Sequence, residues 1–226
     1  MSVSLILEIH AHADHLSAAP HLRKSLSATV SIGSHITDVQ GAFRDIFNLG
    51  ASFPVDGRQF DRLLAYGETL GVGDLSVSCM HTPGHTPACM TYVIGDAAFS
   101  GDTMFIPDYG AARCDSPGGD AATLYRSMRR ILDLPPETRI FVCHDYGSDD
   151  RPYAWESTVA EEKDSNKHVK DGVSEQELVH MREERDATLF MPVLILPSIQ
   201  INMRAGQFPK AKNNGVSYLK LPLNAL

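Results

Sequence analysis

Residues His10-Ala11-His12-Ala13-Asp14-His15 put four metal-binding side chains into six positions, directly behind a near-continuous apolar run at residues 3–9. In an extended segment the side chains at i, i+2 and i+4 share a face. His10, His12 and Asp14 can therefore aim at one point, while His15 enters whatever follows. Imidazole and carboxylate donors together suit zinc, iron or manganese. A solvated polar turn explains a lone His or Asp, but not this density.

The 226 residues fit one large domain or two small ones. We expect a single domain over 1–226 in which 150–226 forms a helical and C-terminal extension. At 43% hydrophobic and 21% charged, the chain can fill a sizeable core and disorder is not the default. A net charge of -8 disfavours any protein that grips phosphates over a wide face, so no nucleic-acid partner is expected. A small acidic substrate held by a local group of arginines remains compatible with it. No run has the length of a membrane span, so no membrane partner is expected. The first residues lack a basic leader and read as a core strand. Cys79, Cys89, Cys114 and Cys143 show no CxxC spacing and read as reduced thiols, consistent with a cytoplasmic protein.

Along the chain, residues 3–9 read as a strand buried on both faces. Ser17 can cap a helix over 18–26. A second strand follows at 28–32, and a helix to about 47 shows Val39, Phe43, Ile46 and Phe47 at helical spacing. Residues 48–66 read as loop and short helix. Strands are expected at 68–72, 75–81, 89–94 and 97–100, with turns at Gly73-Asp74 and Gly95-Asp96. The Gly-, Asp- and Pro-rich stretch 107–120 looks like an active-site loop. Asp120 can cap a helix over 121–132, and 139–143 is another buried strand. Helices follow near 156–165 and 174–186, the second opened by the capping box of Ser174 and Glu177. The tail carries apolar pieces at 193–196 and 218–221.

Three further ligand candidates stand at strand ends: His85 in Thr82-Pro83-Gly84-His85-Thr86-Pro87, Asp102 after Ser100-Gly101, and His144 after Val142-Cys143. Each apolar strand delivers one donor to the loop region, where sites are built on a rigid scaffold. Spacing alone leaves the metal count open. His10, His12, His85 and Asp102 suit one site, and Asp14, His15, His144 and a shared Asp102 suit a second.

The HxHxDH stretch at 10–15, followed in order by His85, Asp102 and His144, resembles the metallo-β-lactamase superfamily. That resemblance implies an α/β fold, an αβ/βα sandwich with the metal at one edge between two sheets. The segments TPGHTP at 82–87, SGD at 100–102, HDY at 144–146 and NMR at 202–204 resemble the persulfide dioxygenases, relatives of glyoxalase II. The family then implies one iron(II) per chain on His10, His85 and Asp102, a 2-His-1-carboxylate triad with open positions. It implies oxidation of glutathione persulfide, or a related persulfide, by O2 to sulfite and thiol. His12, Asp14, His15 and His144 would orient ligands and water, Arg113 and Tyr146 would act on the substrate, and Arg113 and Arg204 would bind it. Cys114, beside Arg113, is the thiol to watch for reactivity.

Ile9 stands where the family usually carries Thr, and Ala205 where animal members carry Cys. Relatives have strands ahead of the first motif, so the chain is expected to lack the outer strands of its first sheet. An exposed edge would favour a homodimer. Two other readings stand beside the dioxygenase: a thioester hydrolase of glyoxalase II type with two zinc ions, and a degenerate, non-catalytic member of the fold.

Overall fold

The computed structural model describes residues 2–13, 15–147 and 151–223. The chain divides into two compact units, Met1–Leu64 with Phe190–Leu226, and Ala65–Leu189.

In the first unit, strands β1 (Leu5–Leu7), β2 (Thr29–Gly33) and β3 (Arg62–Leu64) form a parallel sheet in that order. Helix α1 (Ala19–Leu26) links β1 to β2, and α2 (Ile36–Ile46) lies between β2 and β3 in the chain. This is the strand–helix–strand alternation that parallel pairing requires. β2 is the central strand, and Val30, Ile32 and Leu64 are buried with Ile36, Val39 and Phe43 of α2. The expected doubly buried strand at 3–9 is corrected: β1 has three residues, is half-buried, and lies at the edge of the sheet. Residues 48–66 hold strand β3 where a short helix was expected. The apolar piece near 193–196 opens helix α6 (Ile195–Asn202).

In the second unit, β4 (Thr69–Val72), β5 (Leu75–His81), β6 (Met90–Ile94) and β7 (Ala97–Gly101) form an antiparallel meander. Tight turns at Gly73 and Gly95, both at positive φ, close two of its hairpins. Helix α3 (Ala121–Leu132) then crosses to β8 (Arg139–Val142), which pairs parallel with β7. β9 (Glu156–Thr158) completes the six-stranded sheet. The predicted Asp120 cap is present, its carboxylate accepting from Thr123 N at 2.6 Å. The helix expected from 156 begins later. Glu156–Thr158 is strand, and Thr158 caps α4 (Val159–Ser165) through a capping box with Glu161. The Ser174–Glu177 box opens α5 (Glu175–Asp186) as expected. Leu124, Met128, Ile131 and Leu132 of α3 pack with Ala98, Ile140 and Leu178 in one core. Among the described residues, no helix is long and apolar enough to cross a membrane.

Candidate metal centre

In the first unit, β1 hands the chain to the histidine loop. His10 and His12 lie with ring centroids 5.9 Å apart. Together with Glu8, His15, Ser17, Ile32, Phe60 and Asn202 they line a cavity of about 20 Å³. The described residues of the loop form no helix or strand, so their backbone groups need partners from elsewhere. Asn202, at the end of α6, supplies them. Its amide donates to the carbonyls of His12 (2.9 Å) and His15 (2.7 Å), and its oxygen accepts from Ser17 N at 2.9 Å. The sequence reading marked Asn202 only as part of a family segment and missed this clamp. Asp14 lies outside the described residues.

In the second unit, three strand ends converge. β5 leads into the loop carrying His85. There Gly84 has φ +136°, and a Cβ would lie 2.3 Å from Leu124 Cα, so only glycine fits. Asp102 follows β7, where the β7–β8 register slips between Phe99 and Gly101. Such a bulge re-aims the next side chain. Thr103 Oγ1 donates to the carbonyl of Thr82 at 3.1 Å, which ties the His85 loop to the Asp102 loop. His144 follows β8.

His85 Nε2 lies 3.6 Å from Asp102 Oδ2, and His144 Nε2 lies 3.5 Å from Asp102 Oδ1. Both separations are too long for hydrogen bonds. They suit donors sharing a cation, because two atoms each about 2.1 Å from one ion at a tetrahedral angle are about 3.4 Å apart. His85 Nδ1 lies 2.7 Å from the carbonyl of Arg113. A carbonyl only accepts, so Nδ1 carries the proton and Nε2 keeps its lone pair for a ligand. Two imidazoles around a buried carboxylate thus fit zinc or iron.

The remaining candidates have defined neighbours. The Arg113 guanidinium forms a two-pronged pair with Asp115 at 2.6 and 2.5 Å, which holds the arginine's pKa up and the carboxylate's down. Tyr146 is exposed and stacks on Tyr109 with centroids 4.6 Å apart, while Phe105 meets its edge. Arg204 lies over the Phe53 ring at 4.6 Å and donates to the carbonyl of Gln200. It does not line the histidine cavity. The expectation for Cys114 is corrected: it is buried, and burial pushes its thiol up to about 12, which leaves little thiolate.

Residues 3–144 match the family model of the metallo-β-lactamase superfamily. A probable metallo-hydrolase of Burkholderia pseudomallei is 56% identical, over 99% of this chain and 80% of its own length. Glyoxylase B2 of Dictyostelium discoideum is 51% identical, over 98% of this chain and 76% of its own. The human mitochondrial persulfide dioxygenase ETHE1 is 31% identical, over 89% and 69%. Among solved structures, ETHE1 from Myxococcus xanthus superposes with a TM-score of 0.73 at 30% identity, covering 92% of this chain and 79% of that one. With its ordered histidines and aspartate and this likeness in sequence and fold, the chain belongs to the metallo-β-lactamase superfamily.

Proposed function

We propose that this chain is a persulfide dioxygenase that holds one iron(II) on His10, His85 and Asp102. The observation that carries the reading is its likeness to persulfide dioxygenase and to the ETHE1 structure, in a chain whose His85 and Asp102 face each other at 3.6 Å. When bound, iron(II) would supply the redox chemistry that adds O2 to the persulfide sulfur. The net reaction is RSSH + O2 + H2O giving RSH, sulfite and two protons, with R a glutathionyl group or a related thiol.

The chain's own residues would do three things. The Arg113 carbonyl would hold the His85 tautomer, and Asn202 would hold the histidine loop. His12, Asp14, His15 and His144 would orient ligands and water. The Arg113 guanidinium would take a substrate carboxylate in exchange for Asp115, against the aromatic wall of Tyr109 and Tyr146.

A second reading, a dinuclear zinc thioester hydrolase, has one specific observation in its favour. Each oxygen of Asp102 faces a different imidazole, His85 and His144, as a carboxylate shared by two ions would. The names of the metallo-hydrolase and glyoxylase relatives agree with it.

Oxygen uptake separates the two. Protein purified without air and loaded with iron(II) is given glutathione persulfide, with metal content and sulfite measured together. Uptake that tracks iron and yields sulfite supports the dioxygenase. Absence of uptake, with thioester hydrolysis by the zinc form, moves the chain to the hydrolases.

A further inference from the structure

We infer that the buried Arg182–Asp186 pair of α5 positions the metal ligand His85, acting through the backbone of residues 111–114. The inference rests on the reading of His85 as a ligand.

Residues 107–119 contain no helix or strand. A loop of this kind cannot by itself hold a carbonyl in one direction, yet the Arg113 carbonyl must stay in place to fix His85. The structure holds the loop from behind. Asn166 Nδ2 reaches the carbonyl of Gly110 at 3.4 Å. Ala111 N donates to His168 Nδ1 at 2.9 Å. Arg182 donates to the Ala111 carbonyl at 3.1 Å, and Cys114 N donates to Asp186 Oδ2 at 2.8 Å. Arg113 lies between these last two anchors. Arg182 also donates to the other oxygen of Asp186, so each partner grips both the loop and its mate.

Stability alone is a poor explanation for this pair. Arg182 and Asp186 are 4% and 8% exposed. Desolvation of a buried ion pair commonly cancels its attraction, and an apolar pair of similar volume would often serve as well. Among the described residues, Arg182 Nε is, in addition, buried with no hydrogen-bond partner. What the ion pair provides and an apolar pair could not is a donor for one loop carbonyl and an acceptor for one loop N–H. The bond to Cys114 N fixes the Arg113–Cys114 peptide whose oxygen holds the His85 tautomer, and the bond to the Ala111 carbonyl fixes the chain two residues before Arg113.

The test uses the full chain and cobalt(II) as probe, with the dissociation constant from chelator competition, the visible d–d band and the melting temperature read together. Asp186→Leu is compared with Leu178→Ala, a fully buried core position on the same helix that takes part in none of the loop hydrogen bonds. Loss of a group that orients a ligand typically weakens metal binding by about 10- to 100-fold. We expect Asp186→Leu to weaken cobalt by at least about tenfold and to shift the band. Leu178→Ala should lower the melting temperature as much or more and change neither. Asp186→Asn keeps an acceptor for Cys114 N and should recover most of the affinity. If Asp186→Leu does not fold, Arg182→Lys carries the test, since it keeps the charge but loses the forked geometry; it should weaken cobalt severalfold. Wild-type affinity and spectrum in either folded variant overturn the inference, as does equal weakening in Leu178→Ala. His85→Ala is run beside them. If it binds cobalt fully, the ligand reading itself fails; if it loses cobalt while the α5 variants keep it, only the positioning role fails.

Discussion

His85 Nδ1 donates to the carbonyl of Arg113 at 2.7 Å, which leaves Nε2 facing Asp102. In the dioxygenase reading, His85→Ala and Asp102→Ala should each cut metal content at least about tenfold, because both would remove a donor from the proposed ligand set. Elemental analysis after dialysis against iron(II) checks this. Full occupancy in either variant would remove that residue from the ligand set.

Asn202 fastens the histidine loop with three hydrogen bonds, one each to the carbonyls of His12 and His15 and one from Ser17 N. Asn202→Ala strands those groups. It should cost roughly 2–5 kcal/mol, since the buried His12 carbonyl left unsatisfied costs about 1–3 kcal/mol and the part-buried His15 carbonyl and Ser17 N add about 0.5–1 kcal/mol each. Asn202→Asp keeps the acceptor but loses both donated bonds, so it should be nearly as damaging. Urea unfolding measures both variants, and a loss below 1 kcal/mol in Asn202→Ala would show that water replaces the amide easily.

Glu162 and His168 give opposing pH dependences. Burial raises Glu162 from 4.5 to about 7, so the fold favours its neutral form. That stability is complete below pH 4.5 and is lost as pH rises through 7. Burial lowers His168 from 6.5 to about 4, and its Nδ1 must stay unprotonated to accept from Ala111 N. That stability is complete above pH 6.5 and is lost as pH falls through 4. Each is worth about 3 kcal/mol at most, so the two largely offset between pH 4.5 and 6.5. Glu162→Gln should leave a protein that gains stability from pH 4 to 6.5; His168→Gln should leave one that loses it from pH 4.5 to 7. Urea midpoints at pH 4.5, 5.5 and 7 decide it. Curves parallel to wild type in both variants would contradict both assignments.

The Arg113–Asp115 pair sets a competition for the guanidinium. In the dioxygenase reading, Arg113→Ala should raise the KM for glutathione persulfide more than it lowers iron content. Asp115→Asn should do the reverse and lower KM by about two- to fivefold, the range expected for a partly exposed ion pair. An unchanged KM in both would place Arg113 away from the substrate.

The parts of this architecture that announce themselves in sequence are those with short-range patterns. The HxHxDH cluster, the Asp120 cap and the Ser174–Glu177 capping box depend on neighbours a few residues away, and the last two lie where they were expected. Strands β3 and β9 were missed because each has three residues, too few to show an alternation. Helix α6 is apolar on most sides and has no periodic stripe to read. Asn202 and Asp186 hold backbone atoms 190 and 72 residues away, and an amide bonded to a carbonyl imposes no residue type on the other side. Arg182 and Asp186 are spaced like an ordinary surface pair on a polar helix, and only burial distinguishes them.

The first unit is discontinuous in the chain: its sheet comes from the first 64 residues, while Asn202 arrives with the second segment. At a synthesis rate of 5–20 residues per second, the His12 carbonyl waits about 10–40 s for its partner. The continuous middle unit can complete its meander and core in that interval. The histidine loop is therefore tied down late, and a nascent chain acquires a settled pair of imidazoles only after most of the chain has been translated.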